Sequence, residues 1–242
     1  MDRFAQTHLQ LYRQLSDASY SEEDILLIDR AYQIAMVIFA GNYRPNNKPF
    51  LMHLVGVASI LVMARQPASV ITAGLLHSAY PLGLGRSGNR IKPVYRNEFA
   101  EKLGRDVEEL IYEYANHHWS MEYISSLADN LESLTIENTQ LYLIKLADIH
   151  EEFLDAGHAY QPRKILLPDE GRDDAWLQQI AHQLTILGHE KWAREFQNAV
   201  EENNILNPPA PLCGTAPSSY ILAPGWSKSR LKNKLIKWLS RH

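Results

Sequence analysis

Residues 50–64 constrain the fold more than any other segment of the sequence. They read Phe-Leu-Met-His-Leu-Val-Gly-Val-Ala-Ser-Ile-Leu-Val-Met-Ala, which is apolar on nearly every side of a helix. A helix that is apolar all round has to be covered on all sides, so it must lie inside a larger helical body. Residues 69–79 and 139–156 have the same character. The sequence therefore predicts three buried helices that share one core.

The other periodic segments also favour helices. Apolar residues recur at helical spacing in 25–40 and 98–119, and 173–203 predicts one or two further helices. Ser21 is suited to cap the first of these, since acidic residues follow it in the first turn. No segment alternates as a strand does, so an all-α bundle is expected. Residues 81–93 are rich in glycine and predict a mobile loop.

The composition changes after residue 203. Five prolines between 208 and 224 break any helix, so we predict a helical domain over 1–203 and a Pro-rich linker over 204–226. Residues 227–242 predict a short basic amphipathic helix. Lys232, Lys234 and Trp238 in that helix suit a membrane surface or a protein partner. The alternatives are a solvated helix that docks on its own domain and a disordered tail.

Charge and cysteine content narrow the functional class. The 242 residues hold 24 Lys and Arg against 28 Asp and Glu, a formal net charge of -4, which argues against a general nucleic-acid binder. The single cysteine, Cys213, allows no internal disulfide and favours a reducing cytoplasm. The first residues lack the pattern of a secretory signal, and no apolar stretch approaches the roughly 20 residues that span a bilayer.

Four positions form a candidate metal site. His53 lies near the start of one buried segment, the pair His77-Ser78 near the end of the next, and Asp148 within the third. Histidine and aspartate are good ligands for divalent cations, and an ionisable residue on a buried helix is costly unless it is paired or bound to metal. Taken singly, a hydrogen-bonded core histidine and an aspartate paired with a neighbouring Arg or Lys remain alternatives.

The order and contexts of these residues resemble a known family. Residues 43–58, with Arg44 before His53, and the Leu-Leu-His-Ser segment at 75–78 are similar to the HD-type hydrolase domain of guanosine tetraphosphate (alarmone) synthetase/hydrolases. Residues 99–111 and 143–148 also resemble helices of that domain, and the likeness spans roughly residues 25–157. The resemblance implies an HD-domain-like helical bundle with a manganese ion held by His, His-Asp and Asp.

The site departs from the family pattern. The resemblance carries over His53, His77 and Asp148 as metal ligands, but Ser78 stands where the family has Asp. Residues 79–82 lack the family's Glu-Asp pair, and 149–152 lack its Arg and Asn. Losing a carboxylate weakens metal binding, so the divalent metal, manganese or iron, is expected to be weakened or lost. His150 or Glu151 could instead complete an altered shell.

The same resemblance implies that Arg44 contacts substrate, with Asn47 and Lys48 from the same loop as further candidates. The alternative for Arg44 is a solvated loop residue or a partner for Asp148 in a metal-free site. Three functions follow: a pseudoenzyme that binds a nucleotide-like or phosphorylated ligand or regulates a partner, a metal-dependent phosphohydrolase with an altered shell, and a membrane-peripheral scaffold.

Overall fold

The computed structural model describes residues 4–83, 91–162 and 174–221. The described chain is built almost entirely of helices, which confirms the all-α prediction. The first half comprises α1 (His8–Asp17), α2 (Glu22–Ile38), β1 (Asn42–Tyr43), α3 (Phe50–Met63), α4 (Ala68–Leu76), α5 (Ala79–Leu82), α6 (Arg96–Leu103) and α7 (Arg105–Asn116). The second half comprises α8 (Met121–Ser126), α9 (Ile136–Phe153), α10 (Asp174–Ile186), α11 (Glu190–Ile205) and β2 (Tyr220–Ile221).

Short 3-10 segments join several of these helices. They span Pro93–Tyr95, Leu127–Ser133, Leu154–Ala156 and Ala210–Leu212. Within the ranges given above, no helix combines the length and the apolar character that crossing a bilayer requires.

Helix α3 forms the centre of the bundle, as its apolar sequence predicts. It packs against α1, α4 and α9, and α4 in turn contacts α2, α7 and α9. Its residues from His53 to Val62 are all buried, so the helix has no solvent face over two turns. Helices α10 and α11 pack against each other, and α11 closes over α9. The three predicted buried segments therefore meet in one core.

Local signals explain where the helices begin. The Ser21 side chain accepts a hydrogen bond from the Asp24 backbone N–H, and the Asp24 carboxylate accepts one from the Ser21 backbone N–H, which forms the capping box of α2. The side chain of Thr135 caps α9 by accepting a hydrogen bond from the backbone N–H of Asn138. Pro49 and Pro67 directly precede α3 and α4, where a residue without a backbone N–H is well tolerated.

Three expectations need correction. The predicted helix 98–119 is two helices, because Gly104 adopts a φ of 95° and ends α6. The predicted helix 69–79 ends at Leu76, and a separate short helix, α5, takes in Pro81 and Leu82, which were expected to belong to a loop. Two short strands exist where none was expected: Asn42 pairs with Ile221 and Tyr43 with Tyr220, antiparallel.

The second strand belongs to the segment predicted as a linker. Residues 206–221 return to the loop between α2 and α3, where the ring of Tyr220 stacks on Tyr43 at 5.8 Å and its hydroxyl donates to Asn47 at 2.8 Å. Gly214 passes so close to the loop that a Cβ there would lie 1.7 Å from the Pro45 carbonyl oxygen. The predicted basic helix at 227–242, with Lys232, Lys234 and Trp238, lies outside the described residues.

Candidate metal centre

The helices bring three of the four predicted positions to one point. One ligand atom from each of His53, His77 and Asp148 lies within 4.8 Å of the other two. Nε2 of His53 is 3.4 Å and Nε2 of His77 is 3.6 Å from Oδ1 of Asp148. The histidines are buried and the Asp148 side chain is 13% exposed. The three residues form a triad that can hold a metal ion.

Hydrogen bonds on the far side of each ring fix how the histidines face this point. Nδ1 of His77 donates to the Gly74 carbonyl oxygen at 2.7 Å, and Nδ1 of His53 contacts Oε2 of Glu151. Carbonyl and carboxylate oxygens accept hydrogen bonds, so each Nδ1 carries a proton and each Nε2 is the ring nitrogen that faces Asp148. Nε2 of His53 is buried and has no hydrogen-bond partner in the described part of the chain.

The ionisation states agree with metal binding. Burial lowers the pKa of His77 to about 4, so its ring is neutral at neutral pH, as a ligand must be. Burial disfavours the charged form of Asp148. The pKa of its carboxyl is nevertheless held well below the ordinary value by the nearby Lys145, His77, His53 and Arg44. The lone pair of the neutral His77 ring thus faces the ionised carboxylate of Asp148, an arrangement that favours a cation.

Asp148 is held in place through its second oxygen. Oδ2 accepts hydrogen bonds from the Tyr114 hydroxyl at 3.1 Å and from Nζ of Lys145 at 2.9 Å. Burial, followed by the nearby Asp148 charge, raises the pKa of Tyr114 well above its ordinary value. The hydroxyl therefore stays protonated and donates the hydrogen bond to Asp148. Oδ1 is left to face the histidines. Each member of the triad is therefore oriented by a hydrogen bond to a residue outside the triad, which we call its outer partner.

The predicted substrate residues have partners within the protein. Arg44 pairs with Glu152, and Lys48 pairs with Glu151. Both cationic side chains are 14% exposed. Burial disfavours the charge on Arg44, but Glu152, Asp148 and Glu151 more than compensate and raise the pKa of the guanidinium. Asn47 is exposed and accepts the hydrogen bond from Tyr220. The role of these three residues in substrate binding stays a prediction.

Ser78 and His150, the remaining predicted positions, are not members of the triad. Ser78 follows α4 directly after His77, is 7% exposed, and begins α5 without capping it by its side chain. His150 faces away from the triad: its Nδ1 accepts a hydrogen bond from Nε1 of Trp192 at 2.9 Å, and its ring lies against Phe4 and Phe196. His150 therefore does not complete a metal shell.

One comparison with protein families bears on this region. A family model described as a domain of unknown function, DUF6817, matches residues 37–118. The match contains the predicted substrate loop and the ligands His53 and His77, and it ends before Asp148. It covers about a third of the chain, and its description assigns no activity.

The sequence reasoning missed most of the outer partners. The sequence predicts no role for Glu152 or Tyr114, and it predicts Glu151 as a possible metal ligand, whereas Glu151 contacts Nδ1 of His53. A signal was available, because Lys145, Asp148 and Glu151 recur every third residue along α9 and so lie near one face of that helix. Charged residues at that spacing on a buried helix predict a shared polar cluster.

Proposed function

We propose that the protein is an HD-type helical protein that binds one divalent transition-metal ion, manganese or iron, and through it a phosphorylated small molecule, without acting as an alarmone hydrolase. The observation that carries the proposal is the convergence of one ligand atom each from His53, His77 and Asp148 within 4.8 Å. Two histidines and one carboxylate form the ligand set that suits Fe(II) with open positions, and manganese is what the family resemblance implies.

The charges around the triad support an anionic ligand. Arg44, Lys48 and Lys145 are paired with Glu152, Glu151 and Asp148, so three positive and three negative side chains cancel. A divalent cation would add two positive charges that the three ion pairs do not compensate. A bound cation of this kind supplies Lewis-acid polarisation of a phosphoryl oxygen. Binding of a phosphate group is therefore expected to depend on the metal rather than on Arg44 or Lys48 alone.

The surroundings argue against efficient hydrolysis of guanosine tetraphosphate. Residues 79–82 form α5 and contain no acid, and Tyr80 within it donates a hydrogen bond of 2.6 Å to Glu108. Glu108 is buried and also receives two hydrogen bonds of 2.7 Å from the guanidinium of Arg96. A carboxylate that accepts three hydrogen bonds is a poor general base, because three of its roughly four lone-pair positions are already occupied.

A metal-dependent phosphohydrolase with an altered shell is the second candidate. Three protein ligands are also the number found in catalytic metal sites, where an open position admits water. The first candidate predicts a stable complex with the phosphorylated ligand, and the second predicts turnover of it.

The test begins with metal content. Protein purified without chelator and reloaded with Mn²⁺ under anaerobic conditions is expected to hold about one ion per chain, measured by mass spectrometry of the metal. Asp148→Asn should lower the affinity about 100-fold, because it removes the charged ligand oxygen. Glu137→Gln, an exposed acid on the same helix, is the matched control and should leave it unchanged. Absence of binding by the unmodified protein to Mn²⁺, Fe²⁺ and Zn²⁺ would overturn the proposal.

The ligand is tested with inorganic pyrophosphate by calorimetry. We expect binding to Mn²⁺-loaded protein and none to the metal-free protein, and equal binding to both would contradict the charge argument. Incubation of the loaded protein with guanosine tetraphosphate should release no pyrophosphate. Release that disappears in Asp148→Asn would support the phosphohydrolase instead.

A further inference from the structure

Glu151 is a buried carboxylate that touches the triad without belonging to it. Its side chain is 2% exposed, its Oε2 contacts Nδ1 of His53, and its Oε1 contacts Nζ of Lys48. We propose that Glu151 is the positioning residue of the metal centre: it fixes the tautomer and orientation of His53 and supplies that ligand with negative charge. The inference rests on the proposed function, because it requires that His53 binds a metal.

The two histidines of the triad are oriented by different acceptors. His77 donates from Nδ1 to a neutral backbone carbonyl, that of Gly74, at 2.7 Å. His53 instead donates to a carboxylate, which makes a stronger hydrogen bond and raises the basicity of the opposite nitrogen. Nε2 of His53, which is 3.4 Å from Oδ1 of Asp148, is therefore the more strongly donating of the two nitrogens.

Gly56 makes room for this contact. It lies one helical turn after His53 on α3, where a Cβ would meet Cγ of Glu151 at 2.6 Å and Oε1 at 2.8 Å. Any side chain at this position would push the carboxylate away from the ring, since both atoms would lie inside van der Waals distance. A glycine within a buried helix costs stability, and here it admits a charged group between α3 and α9.

Lys48 completes the arrangement from the loop before α3. It contacts one carboxylate oxygen, which leaves the other to His53, and it compensates the buried negative charge. The competing explanation is that Glu151 serves only to neutralise Lys48. That explanation predicts a loss of stability when Glu151 is changed, but no specific effect on metal affinity or on the His53 tautomer.

Two variants disturb the contact between Glu151 and His53 in different ways. Glu151→Gln keeps the shape of the side chain and removes its charge, whereas Gly56→Ala keeps every charge and displaces the carboxylate. Glu137→Gln is the matched control, because it removes an exposed acid from the same helix, α9, and leaves the surroundings of His53 unchanged. For each, the Mn²⁺ affinity is measured on the full chain, along with the thermal midpoint of the metal-free protein.

Glu151→Gln and Gly56→Ala are each expected to weaken Mn²⁺ binding about 10- to 100-fold, which is the usual effect of removing an outer partner of a ligand. Glu137→Gln should change it by no more than about threefold. Nitrogen chemical shifts of the imidazoles give an independent readout: His53, identified by loss of its signal in His53→Gln, should be the Nδ1–H tautomer in the metal-free unmodified protein and in Glu137→Gln.

The outcomes separate the two proposals. If the unmodified protein binds Mn²⁺ and both variants retain its affinity, the role of Glu151 is refuted and the metal centre stands. An Nε2–H tautomer of His53 in the unmodified protein refutes the role of Glu151 without any variant, so a failure of either variant to fold leaves the test intact. If the unmodified protein binds no metal, the proposed function itself is overturned.

Discussion

The hydroxyl of Tyr114 donates a hydrogen bond of 3.1 Å to Oδ2 of Asp148, on the side of the carboxylate that faces away from the two histidines. The ring of Tyr114 also packs edge-on against His77, with centroids 5.2 Å apart. One residue of α7 therefore contacts a ligand from α4 and a ligand from α9. This contact orients the carboxylate and supports one imidazole at the same time.

Replacing Tyr114 with Phe tests this support. The ring contact with His77 is kept and the hydrogen bond is lost, so we expect Mn²⁺ affinity to fall about tenfold while the free energy of unfolding falls by about 1 kcal/mol. Lys145 still holds Oδ2 in this variant, which limits the effect. Tyr112→Phe on the same helix, whose ring contacts Arg96 and Tyr80, is the control. Equal affinities for both variants would contradict the role of the Tyr114 hydroxyl.

Ser78 is the position at which one substitution should strengthen the centre. Ser78→Asp is expected to raise Mn²⁺ affinity about tenfold, because it adds a carboxylate directly after His77. It should also lower the thermal midpoint of the metal-free protein, since the new charge is buried and uncompensated without the cation. Ser78→Asn has the same size without the charge and should do neither. Titration calorimetry and thermal melts with and without EDTA measure both effects.

The stability of the protein should fall in mild acid through His150. Burial lowers the pKa of this histidine to about 3, well below the ordinary value of 6.5. The unfolded chain therefore binds the proton first as the pH falls below about 6.5, and the folded state loses about 1.4 kcal/mol per pH unit through this group. His150→Gln still accepts the hydrogen bond from Trp192 but cannot titrate.

The difference in unfolding free energy between the unmodified protein and His150→Gln should shrink by about 2 kcal/mol between pH 7 and about pH 5. Urea unfolding at each pH measures it. His182→Gln changes an exposed histidine on α10 and should show no such trend. A difference that is constant with pH would mean that the pKa of His150 is not lowered in the folded protein.

The strand pair between β1 and β2 should order the loop that holds Arg44 and Lys48. Tyr220→Ala removes the ring that stacks on Tyr43 and the hydroxyl that binds Asn47. Hydrogen exchange of the amides of residues 42–48 should become about fivefold faster, which corresponds to about 1 kcal/mol of lost local stability. Ile221→Ala removes an exposed side chain from the same strand and serves as the control. Unchanged exchange in Tyr220→Ala would refute the ordering role.

The helices could be predicted from the sequence because a buried helix is recognisable from its own run of apolar residues. The apolar runs that form α3, α4 and α9, and the capping residue Ser21, are visible without knowledge of the fold. The division between α6 and α7 depends on the backbone conformation of Gly104, and an isolated glycine in an amphipathic pattern does not reveal its φ. Strands of two residues carry too little pattern to be recognised.

The candidate site, like the fold, could be predicted from the sequence only in part. Each ligand could be proposed from its own helix, as an ionisable residue in an apolar context. The pairs that orient and neutralise the site join residues about a hundred positions apart, Arg44 to Glu152 and Lys48 to Glu151, so no local pattern contains them. Arg44 and Lys48 therefore appeared free to bind phosphate in the sequence, whereas the fold supplies each of them with an acid.

The pairing of β1 with β2 also sets an order of events during synthesis. Asn42 and Tyr43 leave the ribosome early, but their partners Tyr220 and Ile221 emerge only after every helix from α3 to α11 has been made. At ordinary rates of translation the loop with Arg44 and Lys48 waits on the order of ten seconds or more for its strand partner. A nascent chain stopped before residue 220 would already carry the three candidate metal ligands, while this loop would still lack its β2 partner.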